Sequence, residues 1–124
     1  MSEQTIYELA GGEATFTRLV ENFYNAVQHD EILRPLYPGD WDESKRTLRL
    51  FLMQYFGGPG DYSAERGHPR LRMRHMPFAI GPAERDAWLR LMREAIAWSD
   101  PPPAVAQRLR AYVDMAAEAM RNRD

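Results

Sequence analysis

Three histidines occur among 124 residues, and His75 is the one whose surroundings suit chemistry. It lies in the run His68-Pro69-Arg70-Leu71-Arg72-Met73-Arg74-His75-Met76-Pro77-Phe78, where the two prolines leave room for barely two helical turns. In such a helix Leu71 and His75 sit one turn apart on one face, while Arg70, Arg72 and Arg74 mostly point elsewhere. A lone imidazole beside an aliphatic side chain suits an axial haem ligand, with one ring nitrogen on iron and Leu71 against the porphyrin. A histidine at this spacing is equally compatible with a helix cap or a satisfied core. The rest of the chain must therefore be read for a pocket.

Composition narrows the possibilities. The chain has no cysteine, which excludes disulfides, thiolate catalysis, zinc–cysteine sites, iron–sulfur clusters and haem attachment through Cys-x-x-Cys-His. Any haem is then held without thioethers. Lys and Arg number 16 against 18 Asp and Glu, a net charge of -2, so no basic footprint points to nucleic acid. The N-terminus Met1-Ser2-Glu3-Gln4-Thr5 lacks a basic region followed by an apolar run, and no apolar stretch reaches membrane-spanning length. The expectation is one cytoplasmic, soluble domain over residues 1–124, long enough for a single core.

The elements that must position His75 read as all-α. Gly11-Gly12 separates a short segment, Thr5 to Ala10, from a long amphipathic helix over Glu13 to His29. Its stripe is Phe16, Leu19, Val20, Phe23 and Val27, with Tyr24 at the edge. Asp30 to Arg34 allows one more turn before Pro35, and Leu36-Tyr37-Pro38 then reads as extended. The next helix spans Asp42 to Phe56, capped by Asp42 or Asp40, with Leu48, Phe51, Leu52 and Tyr55 as its stripe. Gly57 to Gly67 reads as a loop leading to the His75 helix. Gly81-Pro82 announces a helix with Trp88, Leu91, Met92, Ala95 and Ile96 inward. Asp100-Pro101-Pro102-Pro103 breaks it, with Asp100 as cap of a last helix carrying Val105, Leu109, Tyr112, Val113, Ala116 and Met120. Two pairs of longer helices plus one short one can enclose a flat ligand.

These residues together resemble the truncated haemoglobins, in particular group II, whose fold is a two-over-two helical sandwich around haem. The resemblance covers nearly the whole chain. It rests on the glycine motifs Gly11-Gly12 and Gly57-Gly58-Pro59 and on the Phe23-Tyr24 pair. It rests also on Gly67 to His75, followed thirteen residues later by Trp88 within Glu84-Arg85-Asp86-Ala87-Trp88-Leu89. The resemblance implies haem b (iron protoporphyrin IX), His75 as proximal ligand, and Tyr24, Tyr37 and Trp88 on the distal side. It implies Leu48 deep in the distal pocket and Ser44 where many globins keep a distal histidine. Phe51, Leu52, Phe78 and Met92 are then expected against the porphyrin. For the propionates Arg72 is the first candidate, followed by Tyr62, Arg46 and His68. The chain departs from the group II pattern at Thr47, where relatives usually carry arginine, and around Trp41, which reads as an exposed aromatic hinting at association.

The function so implied is reversible binding of dioxygen and other diatomic ligands, CO and NO, at five-coordinate iron. An O–H or indole N–H across the pocket can donate to charge that develops on bound oxygen. A nitric oxide dioxygenase uses the same pocket but needs an external reductase, since no flavin or nicotinamide domain is present. Peroxidase-like activity ranks lower because no distal histidine supplies an acid–base group. A di-iron site is excluded, since Glu65-Arg66-Gly67-His68 is a single Glu-x-x-His with glycine inside it. A cofactor-free helical interaction module, with every aromatic in the core, is the alternative from another class. Such a protein would be colourless and would not titrate with haemin.

Overall fold

A computed structural model describes residues 4–37 and 39–124, and among them every regular element is helical. Residues 1–3 and Pro38, on which parts of the N-terminal and extended-run readings fall, lie outside the described residues. The first helix, α1 (Ile6–Ala10), is held by a capping box: the Thr5 hydroxyl accepts the Glu8 amide at 3.1 Å, and the Glu8 carboxylate accepts the Thr5 amide at 3.0 Å. Gly11, at φ +108°, ends it in a left-handed conformation that costs glycine little.

Helix α2 (Glu13–Val27) buries Phe16, Leu19, Val20, Phe23 and Val27 as its periodicity requires, and Tyr24 with them. It stops short of His29 because the Asp30 carboxylate captures the Ile32 and Leu33 amides at 3.1 and 2.9 Å, starting a turn. The chain then makes a 3-10 helix over Arg34–Leu36 rather than running extended at Leu36. Pro35 sits in its first turn, where a fixed φ helps and no amide is required.

Helix α3 (Trp41–Tyr55) is capped by Asp40, whose carboxylate accepts the Glu43 amide at 3.1 Å. Its buried surface is broader than one stripe: Leu50, Phe51, Leu52 and Met53 are all buried, whereas Tyr55 is 50% exposed. The helix packs on α2 and also walls a cavity, so two faces are covered. Tyr55 instead lays its ring on Tyr112, centroids 4.3 Å apart. The stretch read as a loop contains helix α4 (Asp61–Arg66). Tertiary contacts supply what its short sequence lacks. Gln54 accepts the Ser63 amide at 2.9 Å and donates to the Ser63 hydroxyl at 2.7 Å, and buried Tyr62 meets Phe51 edge-on.

After the short helix α5 (Leu71–His75), α6 (Pro82–Ser99) begins with the Glu84 carboxylate accepting the Gly81 amide at 2.7 Å. Asp100 does not cap the last helix. It adopts φ +49° and closes α6, and α7 (Pro103–Met120) starts after Pro102. Helix α2 lies on α3 and α6, α6 on α7, α4 on α3, and α1 and α5 on α7. Among the described residues no helix is long and apolar enough to cross a membrane.

The glycine corner at Gly57-Gly58 exists because α1 crosses the end of α3. The Tyr7 amide donates to the Phe56 carbonyl at 2.9 Å, and a Cβ on Gly58 would lie 2.7 Å from the Tyr7 ring and 2.8 Å from the Met53 carbonyl oxygen. Gly58→Ala is expected to destabilise by about 1–3 kcal/mol through overpacking, against about 0.5 kcal/mol or less for Gly60→Ala. Urea unfolding of the two variants checks this, and equal midpoints would contradict the tight corner.

Candidate functional site

A cavity of about 450 Å³ opens between the two helix pairs. Helix α3 contributes Ser44, Thr47, Leu48, Phe51 and Leu52, all on one face. Helix α6 contributes Arg85, Trp88 and Met92, and α7 contributes Tyr112, Val113, Ala116, Ala117 and Met120. Tyr24 from α2 and Tyr37 after the 3-10 helix line it as well, with Tyr62, Leu71, His75 and Phe78 closing another side. Small alanines on α7 beside large rings elsewhere leave the space unfilled.

His75 reaches the cavity from α5, a helix of five residues entered through Arg70 at φ +43°. Its Nδ1 lies 2.6 Å from the Leu71 carbonyl oxygen. A carbonyl only accepts, so Nδ1 carries a proton, and Nε2 is the nitrogen that can offer a lone pair. That is the arrangement in which a histidine binds a metal with its orientation fixed by a backbone carbonyl. His68 does different work. It is exposed, lies outside the cavity lining, and its Nδ1 accepts the Arg70 amide at 3.2 Å, closing the turn at Pro69.

The aromatic groups form two clusters. In one, Tyr24 meets Tyr37 edge-on at 5.6 Å, Tyr37 stacks on Trp41 at 5.5 Å, and Tyr24 also meets Trp41 and Phe23 edge-on. Phe23 in turn holds Trp88 at 5.9 Å. In the other, Phe51 contacts Tyr62 and Tyr112. Burial, then the neighbouring Tyr37 hydroxyl, drives the Tyr24 phenol well above its ordinary range. Burial pushes Tyr37 up to about 12, with the Tyr24 hydroxyl acting in the opposite direction. Both are therefore neutral O–H donors at physiological pH.

Of the residues singled out in the sequence, Tyr24, Tyr37, Trp88, Leu48, Ser44, Phe51, Leu52, Leu71, Tyr62, Phe78, Met92 and His75 share this cavity. Arg46, Arg72 and His68 do not line it. Arg46 is exposed and bidentate with Glu65, which raises its pKa and lowers that of the carboxylate. Arg72 is exposed and faces a surface depression beside Arg121 and Arg123. The cations that line the cavity are Arg66, paired with Glu43 at 2.8 Å, and Arg85, paired with Glu118 at 2.7 Å. Arg85 lies one helical turn before Trp88, a register that could have marked it. Trp41 is not the exposed aromatic expected, because it is half-buried against Tyr37 and Tyr24.

A lone oriented imidazole in a largely apolar cavity between two helix pairs, with phenols and an indole in the same walls, is the architecture of a two-over-two globin. The chain matches the family model for bacterial-like globins over residues 5–122 and belongs to that family, which implies a haem cofactor. It is 45% identical over 85 residues to a group 2 truncated hemoglobin of Bacillus subtilis (strain 168), the match covering 68% of this chain and 64% of that protein. A group 2 truncated hemoglobin of Lotus japonicus matches at 36% identity over 68% of this chain and 52% of its own length. The chain thus spans between half and two thirds of these two relatives. The hemoglobin structure from Chloroflexus aurantiacus is 55% identical with a TM-score of 0.96, covering 98% of this chain and 100% of that one. The group II truncated hemoglobin structure from Bacillus anthracis is 35% identical with a TM-score of 0.95, covering 100% and 96%. The residues present fit haem: Nε2 of His75 is the ring nitrogen left for iron, and the cavity walls are mainly apolar.

The raised phenols fix a pH dependence. Above the unfolded tyrosine pKa, near 10, the unfolded chain releases protons that the folded chain retains, so stability falls with rising pH. The Tyr37 share is complete below about pH 10 and is lost between there and about 12, where Tyr37 ionises in the folded state, while the Tyr24 share persists to higher pH. Tyr37→Phe is expected to flatten this slope by up to about 1.4 kcal/mol per pH unit, read from urea unfolding between pH 9 and 11. An unchanged slope would contradict the enclosure of the Tyr37 hydroxyl.

Proposed function

We propose that this chain, as one cytoplasmic domain over residues 1–124, holds haem b through His75 and binds dioxygen reversibly, with CO and NO as alternative ligands. The single observation that carries the reading is the His75 ring, whose Nδ1 is committed to the Leu71 carbonyl at 2.6 Å while its other nitrogen is left for the cavity. When bound, haem b supplies an iron that takes a diatomic ligand and lends it electron density. Trp88 contributes an indole N–H that donates and cannot act as a base, and Tyr24 and Tyr37 contribute neutral phenols. Leu48 and Phe51 keep water away from these donors, which strengthens them, while the small Ser44 leaves an access path along α3. Arg66 and Arg85, lining the cavity, suit the two propionates. Repeated turnover with nitric oxide would draw its electrons from an external reductase.

Optical spectra of the ferric, dithionite-reduced and air-exposed protein test the reading. The expected result is a haem band with a stable spectrum in oxygen, collapsing or shifting in His75→Ala. No haem band after adding haemin would overturn it. Trp88→Phe is expected to speed oxygen dissociation about tenfold or more in stopped-flow, as the loss of one donor of roughly 1–3 kcal/mol requires. Tyr112→Phe should change the rate less, because that ring, although it lines the cavity, belongs to the Phe51, Tyr55 and Phe56 cluster and not to that of Tyr24, Tyr37 and Trp88. Removal of haem should lower the melting temperature and make it depend on haem concentration, as for any ligand that binds only the folded state.

A further inference from the structure

Helix α5 has little of its own to hold it. It is five residues long, its N-cap Arg70 offers no side-chain cap, and none of its residues is fully buried. A single turn of helix is unstable by itself, so the orientation of His75 needs support from elsewhere. The chain beyond α7 supplies it. The Asn122 amide nitrogen Nδ2 donates to the Phe78 carbonyl at 2.9 Å and to the His75 carbonyl at 3.3 Å. Its Oδ1 accepts the Ile80 amide at 2.9 Å. The Asn122 and Arg123 backbone amides both donate to the Ile80 carbonyl, at 2.8 and 3.0 Å. One side chain therefore grips the backbone of His75 and of the segment that leaves it, using both ends of a carboxamide.

We propose that Asn122 is a positioning residue that fixes the angle and distance at which the His75 imidazole meets the haem iron. The proposal rests on the function proposed above. The His75 carbonyl also accepts the Phe78 amide at 3.0 Å, so the Asn122 amide is its second donor, and the same amide supplies the Phe78 carbonyl while the oxygen end takes the Ile80 amide. The Nδ1–H bond to Leu71 sets rotation of the ring about its own axis. The Asn122 clamp sets where the backbone carrying that ring stands, and outer contacts of this kind govern metal affinity.

The test uses the full-length haem-loaded protein with Asn122→Ala and Asn122→Asp, the second keeping an acceptor for Ile80 but placing carboxylate oxygens against two carbonyls. In the reduced, ligand-free state both variants should show an iron–histidine stretching band in resonance Raman that is lower and broader than in wild type. Haem loss to apomyoglobin should accelerate about tenfold or more. A lowered melting temperature with an unmoved band and unchanged haem loss would make Asn122 merely structural and overturn the proposal. Should Asn122→Ala not fold, Asn122→Asp decides alone. In the apoprotein, amide exchange at Ile80 should accelerate in Asn122→Ala, and an Ile80 amide unprotected in wild type overturns the clamp without involving haem. Absence of any iron–histidine band in wild type would instead defeat the haem reading itself, and the clamp's role at iron with it.

Discussion

A chain of this size has to keep a space of about 450 Å³ open at its centre. So large an opening forfeits contacts that a closed core would make, and its walls must be braced to keep it from collapsing. The arrangement of the molecule follows from that constraint. Alanines at 116 and 117 on α7 withhold the side chains that would fill the space, while stacked and edge-on rings on the other walls resist collapse.

The bracing also determines the chemistry. Tyr24 and Tyr37 cannot turn freely because Trp41 and Phe23 pack against them, and their burial keeps both as phenols far above their usual titration range. Enclosed donors of this kind interact strongly with charge that appears beside them, since no water competes. The imidazole is fixed by a different device, a hydrogen bond to the carbonyl one turn earlier. Rigid aromatics on one part of the wall and a tethered ring on another make the pocket a preorganised one.

At the rim, Arg46 pairs with Glu65 and Arg66 with Glu43, so α3 and α4 exchange two ion pairs in opposite senses. All four side chains are a third or more exposed, so water screens both pairs. Their effect is geometric: they seat α4 so that Tyr62 enters the core and Arg66 faces the cavity. Arg46, read from sequence as a propionate partner, meets Glu65, nineteen residues away and invisible to any local pattern.

Much of this molecule was legible in its residues. The long helices, their apolar stripes, the glycine corners and the special standing of His75 depend on spacing within one segment, where helical geometry alone decides which side chains share a face. Tyr24, Tyr37 and Trp88 were selected by the resemblance to group II truncated haemoglobins and not by spacing. Local spacing did not find α4, whose stability comes from Gln54 and Phe51 on another helix, nor Trp41, whose ring is covered only once Tyr37 folds back on it. It did not show that Arg66 and Arg85 line the cavity, because a charged side chain goes to whichever opposite charge the fold brings nearest. Nor did it attach any meaning to Asn122, forty-seven residues from His75, since hydrogen bonds between distant backbone segments leave no periodic trace. Sequence alone determined the long helices and the chemistry available to them. Tertiary structure decided which groups meet at the cavity, because contact between remote segments depends on how the helices pack and not on how their residues repeat.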